Sequence, residues 1–246
     1  MHHTAFVTGA DRGLGFGLTQ GLLQRGYRVF AGQYMPDWHE LGELAVSYPD
    51  TLHLVPLDVG DTASCAAAAA AVGAMTDTVD VLINNAGITG GRGEIGEALV
   101  GEGLDYDAIR RAYNVNSLGP IRVVEAFLPL TRGGPDRPGL RRLCFVSSEA
   151  GSIATSYRTN GFGYYMSKAA VNMAVKITFN RLRPEGYTFR LYHPGWVRGY
   201  MGGKKGTHAD LEPDVAAEYA LPFVLGERDD EDRLVLIDNL GREWPF

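Results

Sequence analysis

Thr4-Ala5-Phe6-Val7-Thr8-Gly9-Ala10-Asp11-Arg12-Gly13-Leu14-Gly15 is the stretch whose reading decides the fold of this chain. A short apolar run of strand character meets three glycines spaced G-x-x-x-G-x-G, and a helical pattern follows. That order suits a pyrophosphate site. Glycines let the backbone approach the phosphates, and the helix amino terminus offers unpaired N–H groups and a positive dipole. Glycines alone also make ordinary turns. Their place after the first strand of an alternating pattern turns the reading toward a dinucleotide, with Gly9, Arg12, Gly13, Leu14 and Gly15 as the binding residues.

Outward from this turn, short apolar runs alternate with longer helical segments. Strands are expected at Thr4 to Thr8, Arg28 to Ala31, Leu52 to Leu57, Val81 to Asn84, Arg142 to Ser147, Thr188 to His193 and Leu234 to Asp238. Helices are expected at Leu14 to Arg25, Asp61 to Met75, Asp105 to Leu130, Tyr164 to Arg183 and Pro213 to Leu225. Such βα units predict an α/β fold: a single doubly wound, Rossmann-type domain over residues 1–246, with a seven-stranded parallel sheet flanked by helices. The run Ala66 to Ala71 falls within a helical segment and reads as helix, since alanine is the best helix former. Loops are expected at Thr131 to Leu140 and at 196–211, the second as a substrate loop. No shift in composition marks a second domain.

The 32 glycines agree with backbone brought close to a ligand. A net charge of -6 argues against an electrostatic nucleic-acid binder. No segment approaches the roughly 18 apolar residues of a membrane span, and the amino terminus lacks a signal pattern. The expectation is a cytoplasmic protein with a small-molecule partner. Cys65 and Cys144 read as reduced structural thiols, and no spacing suits a metal. Met1-His2-His3 is too short for a tag or a metal site.

An enzyme using NAD usually carries an acid at the end of the second strand, for the ribose 2′-hydroxyl. The residue placed there is the neutral Gln33, followed by Tyr34, while Arg12 could reach a 2′-phosphate from the glycine turn. NADP is therefore favoured over NAD.

Tyr164 and Lys168 are four residues apart on a predicted helix and share a face. A phenol of ordinary pKa near 10 is a poor base at neutral pH, and a nearby ammonium stabilises its phenolate. Tyr165 has no lysine at that offset. Just upstream, Ser147 and Ser148 end a predicted strand, where a hydroxyl can polarise a carbonyl.

These residues bring the chain to a family. Thr8-Gly9-x-x-x-Gly13-x-Gly15, Asp58-Val59, Asn84-Asn85-Ala86-Gly87, Asn116-Ser117-Leu118-Gly119, Ser148, Tyr164-x-x-x-Lys168 and Pro194-Gly195 stand in the order seen in short-chain dehydrogenases/reductases. The chain resembles that family along essentially its whole length. His193-Pro194-Gly195-Trp196-Val197-Arg198, Met201-Gly202-Gly203 and the ending Asp238 to Trp244 resemble its C-factor and carbonyl-reductase-like branch.

The resemblance implies hydride exchange between NAD(P)(H) and an alcohol or carbonyl carbon. Tyr164 would exchange the proton with the substrate oxygen. Lys168 would lower the tyrosine pKa and hold the nicotinamide ribose. Ser148 would fix the carbonyl, and Asn116 would position a relay water, with Asn114 as a rival that fits the motif less well. Asp58 and Val59 would flank the adenine, and Asn85, Ala86 and Gly87 the adenosine side. Pro194, Gly195 and Val197 would meet the nicotinamide. Dimers or tetramers are implied as well, through the Asp105 to Leu130 and Tyr164 to Arg183 helices. Their Val123, Val124, Phe127, Val171, Val175 and Phe179 exceed what one sheet face needs.

Two departures stand out. Gly199-Tyr200 replaces the Thr-Asp of the branch and removes a hydroxyl for the nicotinamide carboxamide. The Ser148 to Tyr164 interval is also longer than the family's commonest spacing. Ile153, Tyr157, Phe162, Trp196, Tyr200 and Met201 are expected around the substrate, or partly in core and subunit contacts. Lys204, Lys205 and His208 read as a solvated loop that could instead meet an anionic substrate. Two competing functions are a cofactor-binding regulatory module with vestigial chemistry and an epimerase or dehydratase. The intact Asn, Ser, Tyr and Lys set opposes the first, and the short chain opposes the second.

Overall fold

Every residue of strand β1 (Thr4–Val7) is buried, because its successive side chains enter opposite helix layers. Phe6 joins Phe30, Leu82, Leu143, Val123, Phe127 and Val175 in one core. Ala5 and Val7 join Val29, Ile83, Leu18, Leu22 and Leu221 in the other. The computed structural model describes residues 3–91, 103–134, 137–201, 205–206 and 208–246.

From β1 the chain runs through α1 (Gly13–Gln24), β2 (Arg28–Gln33), α2 (His39–Ser47), β3 (Leu52–Pro56), α3 (Thr62–Gly73) and β4 (Val81–Asn84). It continues through α4 (Tyr106–Tyr113), α5 (Gly119–Arg132), a small hairpin of β5 (Gly133–Gly134) and β6 (Arg137–Pro138), and β7 (Arg142–Val146). It ends through α6 (Phe162–Leu182), β8 (Thr188–His193), α7 (Pro213–Leu225), β9 (Leu236–Asp238) and β10 (Glu243–Trp244). The main sheet has the order β3-β2-β1-β4-β7-β8-β9-β10. The strand order reverses between β1 and β4, and ligands of open α/β sheets bind beyond the carboxyl ends at such a point.

All seven expected strands lie in this sheet in parallel, and an eighth is added. β10 pairs antiparallel with β9, because Asp238 gathers the chain around its carboxylate. That group accepts the N–H of Leu240 at 2.9 Å and of Arg242 at 2.9 Å. It also accepts Arg242 Nε at 2.7 Å and Trp244 Nε1 at 3.0 Å. Gly241, at φ 78°, turns the corner. The stretch expected as the loop Thr131 to Leu140 holds the end of α5 and the β5–β6 hairpin.

The expected helix Asp105 to Leu130 is not continuous. One π turn, Asn114–Leu118, separates α4 from α5. Pro120 has no N–H to offer the carbonyl four residues back, that of Asn116. At Gly119 an added Cβ would crowd the Val59 side chain at 3.0 Å, so glycine lets this turn approach without displacing it.

The apolar residues named for subunit contact are core residues instead. Val123, Val124, Phe127, Val171, Val175 and Phe179 are all buried against the sheet. The helical period places a different set outward: Leu118 just before α5, Ile121 on α5, and Met166, Met173 and Ile177 on α6 are exposed.

Candidate active site

Thr8, the residue after β1, ties the two strands of the reversal point together. Its Oγ1 accepts the N–H of Asn85 at 2.9 Å and of Ala86 at 3.0 Å. Asn85 Nδ2 returns bonds to the carbonyls of Thr8 and Gly9 at 3.0 and 3.1 Å. Gly9, at φ 63°, would set a Cβ 2.9 Å from Ala86 Cα, and a Cβ on Gly15 would strike the Gly9 carbonyl. The turn is thus closed to side chains. The amino terminus of α1 carries no side-chain cap and no acidic residue in its first turn. A cradle of backbone N–H groups with that dipole fits a pyrophosphate, so these residues fit a dinucleotide.

Gln33 is the last residue of β2, as the cofactor argument requires. An acid is nonetheless present nearby, supplied by the glycine turn. Asp11 is buried, and its carboxylate accepts the N–H of Tyr34 at 3.1 Å and of Met35 at 2.8 Å. Arg12 lies against two rings that also meet each other edge to face, 4.8 Å from the Trp38 centroid and 5.3 Å from that of Tyr200. Tyr200, the second residue of the Gly199-Tyr200 departure, therefore meets the glycine turn through Arg12. Neither Asp11 nor Trp38 was legible from spacing, because each acts on a residue more than twenty positions away.

Asp58 and Val59 follow β3. Asp58 Oδ1 accepts the Gly60 N–H at 2.7 Å, and Gly60 O accepts Asn114 Nδ2 at 2.9 Å. Asn114 also accepts Arg122 Nη2 at 2.7 Å, so it fastens this turn to the π segment. Asn116 lies elsewhere. Its amide exchanges two 2.8 Å bonds with the backbone of Ile88 and donates to Ser167 Oγ at 2.9 Å. The two asparagines are thus separated by their contacts.

Ser147 and Ser148 separate in the same way. Ser147 Oγ donates to Asn172 Oδ1 at 2.6 Å, inside the fold. Ser148 donates to Glu149 Oε2 at 2.6 Å, accepts the Ala150 N–H at 3.1 Å and favours ionisation of the Tyr164 phenol. Helix α6 brings Tyr164 close because Gly90 and Gly163 let two backbones touch where any Cβ would collide. Lys168 is buried, with Nζ donating to Val146 O at 2.9 Å and lying 5.6 Å from the Tyr164 ring centroid.

Electrostatics depart from the expected lowering of the phenol. Burial pushes the Tyr164 phenol up to about 12, and Ser148 only partly opposes it. Burial also brings the Lys168 ammonium down to about 8. In the protein alone, desolvation is the largest cause of both shifts.

Gly195, at φ 76°, would set a Cβ 2.8 Å from Asn239 Oδ1, which places Pro194 and Gly195 against the carboxy-terminal turn. Val197 bridges to Leu211, closing the base of the loop 196–211. Lys205 is ion-paired with Glu212 at 3.1 Å, which agrees with a solvated-loop role. His208 is exposed, whereas Gly202, Gly203 and Lys204 lie outside the described residues. Ile153, Tyr157 and Trp196 are largely exposed, Met201 is exposed and Phe162 is half-buried.

Among the described residues no cluster of His, Cys, Asp and Glu could hold a metal, and no helix is long and apolar enough to cross a membrane. The family model for short chain dehydrogenases matches residues 3–210. An uncharacterized oxidoreductase of Schizosaccharomyces pombe is 34% identical over 244 residues, covering 97% of this chain and 91% of its own. The C-signal protein of Myxococcus xanthus is 45% identical over 132 residues, covering 54% of this chain and 74% of its own. The NADPH-bound carbonyl reductase from chicken fatty liver superposes with a TM-score of 0.84 at 30% identity, covering 100% of this chain and 99% of that one. A Burkholderia multivorans short-chain dehydrogenase/reductase with bound NADP gives 0.84 at 29% identity, covering 100% of both chains. With the glycine cradle and the Ser, Tyr and Lys cluster at the strand ends, these matches establish that the chain belongs to the short-chain dehydrogenase/reductase family of NAD(P)-dependent oxidoreductases.

Proposed function

We propose that this enzyme exchanges a hydride between NADP(H) and a carbonyl or alcohol carbon of a small organic substrate, with Tyr164 moving the proton. The observation that carries this is the action of Ser148 on the Tyr164 phenol, with Lys168 one helical turn further along α6. The dinucleotide, when bound, supplies or accepts the hydride, and its oxidised nicotinamide adds positive charge.

Tyr164 Oη gives its proton to the substrate oxygen in reduction and takes it in oxidation. Ser148 holds that oxygen. Lys168 holds the nicotinamide ribose and favours the phenolate once the positive nicotinamide joins it. Asn116 is fixed by Ile88 and Ser167, and Pro120 leaves its carbonyl without the usual helical donor, which suits that oxygen to a relay water. Gly9, Gly13, Leu14 and Gly15 take the pyrophosphate. Asp58 and Val59 border the adenine, and Asn85, Ala86 and Gly87 the adenosine side. Pro194, Gly195 and Val197 meet the nicotinamide, and the loop 196–211 borders the substrate within one domain of 246 residues. Oxidation of NADPH and NADH against a panel of aldehydes, ketones and quinones tests this, with turnover expected in NADPH. No turnover with any partner would sink it.

The NADP preference rests on neutral Gln33 and on Arg12 at the same end of the groove, and NADP(H) bound to two structural neighbours supports it. Asp11 spends its carboxylate on the amides of Tyr34 and Met35. Arg12→Ala is expected to weaken NADPH binding about 10- to 100-fold, as loss of a charge-assisted bond implies, and to leave NADH binding nearly unchanged. Fluorescence titration measures both. Equal losses for the two cofactors would remove Arg12 from the 2′-phosphate site.

Association is proposed through the outward residues of α5 and α6. Met173 and Ile177 are each 62% exposed, an apolar stripe that a second copy would cover. A homodimer or homotetramer is expected by light scattering at micromolar concentration. Ile177→Glu should reduce the mass while preserving the circular dichroism spectrum, and an unchanged mass would place the interface elsewhere. The free, buried thiols of Cys65 and Cys144 suit a reducing compartment, and a cytoplasmic location is proposed.

A further inference from the structure

Glu149 directly follows Ser148 and lies outside the catalytic set of Asn116, Ser148, Tyr164 and Lys168. Its carboxylate accepts the Ser148 proton at 2.6 Å and pairs with Arg158 at 3.0 Å. Since Ser148 also acts on the Tyr164 phenol, its hydroxyl interacts with two ionisable groups, the Tyr164 phenol and the Glu149 carboxylate. The Glu149 end of this set reaches a small cavity of about 130 Å³ bordered by Glu149, Thr155, Tyr157, Arg158 and Trp244. Glu149 keeps 27% of its side chain exposed there. One end thus acts on the reacting phenol and the other meets solvent.

From this arrangement we infer that Glu149 passes the Tyr164 proton between the reaction centre and solvent, acting through Ser148. The inference rests on the oxidoreductase role of Tyr164. In alcohol oxidation the substrate carbon gives its hydride to the dinucleotide, and the substrate hydroxyl gives its proton to the Tyr164 phenolate. Tyr164 Oη then passes a proton to Ser148 Oγ as the Ser148 proton moves to Glu149 Oε2. The carboxylic acid so formed releases that proton into the cavity. One hydride and one proton leave the substrate, and every residue returns to its starting state. Reduction runs the same transfers inward.

The groups around this carboxylate are Arg158 on its own loop, His193 at the end of β8, and Tyr164 on α6. Tyr165 acts on Tyr164, and Lys168, Asp238 and Arg242 act on His193. Burial raises the Glu149 carboxyl, but the Ser148 bond, His193 and Arg158 together hold it below its ordinary value. It is therefore a carboxylate at neutral pH, ready to accept. Burial holds His193 largely neutral there.

Glu149→Gln retains size and can still accept the Ser148 bond, but it cannot take up a proton. Its kcat for alcohol oxidation should fall by about tenfold or more, with KM little changed and cofactor fluorescence titration normal. Glu149→Ala should be equally slow, and added acetate, drawn to Arg158, should restore its turnover saturably. A structural residue would show no such rescue. Wild-type turnover with an undiminished Glu149→Gln variant, or a slow Glu149→Ala variant indifferent to acetate, would overturn this inference alone. Absence of wild-type turnover with either cofactor would overturn the oxidoreductase role and this inference with it.

Discussion

Tyr164→Phe should lower turnover by about 10²- to 10⁴-fold, the usual worth of general acid-base catalysis. The substitution removes one hydroxyl and keeps the ring that packs against Tyr165 and lies over Lys168. Fold and cofactor affinity should therefore survive, as circular dichroism and fluorescence titration would show. Tyr165→Phe is the internal control. Its ring sits against Gly161 and under Arg158, 5.9 Å from the Tyr164 centroid, and it shows no bond to Ser148 in the described contacts. Loss should be far smaller there. Equal losses, or near-normal turnover of Tyr164→Phe with cofactor bound, would remove Tyr164 as the proton donor.

Elements with a local signature are legible in the sequence. The glycine turn, the parallel strands and the Tyr164 and Lys168 offset each need only a few consecutive residues to be read. What was missed depends on distant partners. The π turn at Asn114–Leu118 is set by Pro120 together with contacts from Ile88, Val59 and Ser167, which lie on other segments. Strand β10 exists because Asp238 collects four donors from a polar tail that carries no strand pattern of its own. The contact face on α5 and α6 was misassigned for a related reason. Counting apolar residues on a helix does not fix its phase. Phe127 and Val175 prove to face the sheet, while Ile121 and Ile177 face out. Similarly, the adjacency of Ser148 and Glu149 is plain in the chain, but only the backbone geometry after β7 turns the carboxylate back onto the hydroxyl.

Lys168→Met should separate stability from function. Turnover should fall by about 10²-fold or more, because the phenolate loses its cation. Stability at pH 7 should nevertheless rise. Lys168 is charged at that pH in both the folded and unfolded chain, but its pKa drops from 10.5 to about 8 on folding. A lowered ammonium pKa means that folding is penalised below about pH 8, and the penalty is relieved as pH rises toward 10.5. Its size is about 3 kcal/mol by linkage. Losing the bond to Val146 O offsets about 1 to 2 kcal/mol of the gain. The net of roughly 1 to 2 kcal/mol corresponds to a few degrees in Tm for a chain of this length. Tyr164 acts with the opposite sign. Its raised pKa lends stability that is present below pH 10 and lost as pH climbs through about 12, and both proteins retain that residue. Urea denaturation from pH 7 to 10.5 should therefore show the wild-type enzyme closing the gap on Lys168→Met as pH increases. Parallel pH profiles for the two proteins would mean that the buried ammonium is compensated within the fold, and that the desolvation penalty assigned to Lys168 is absent.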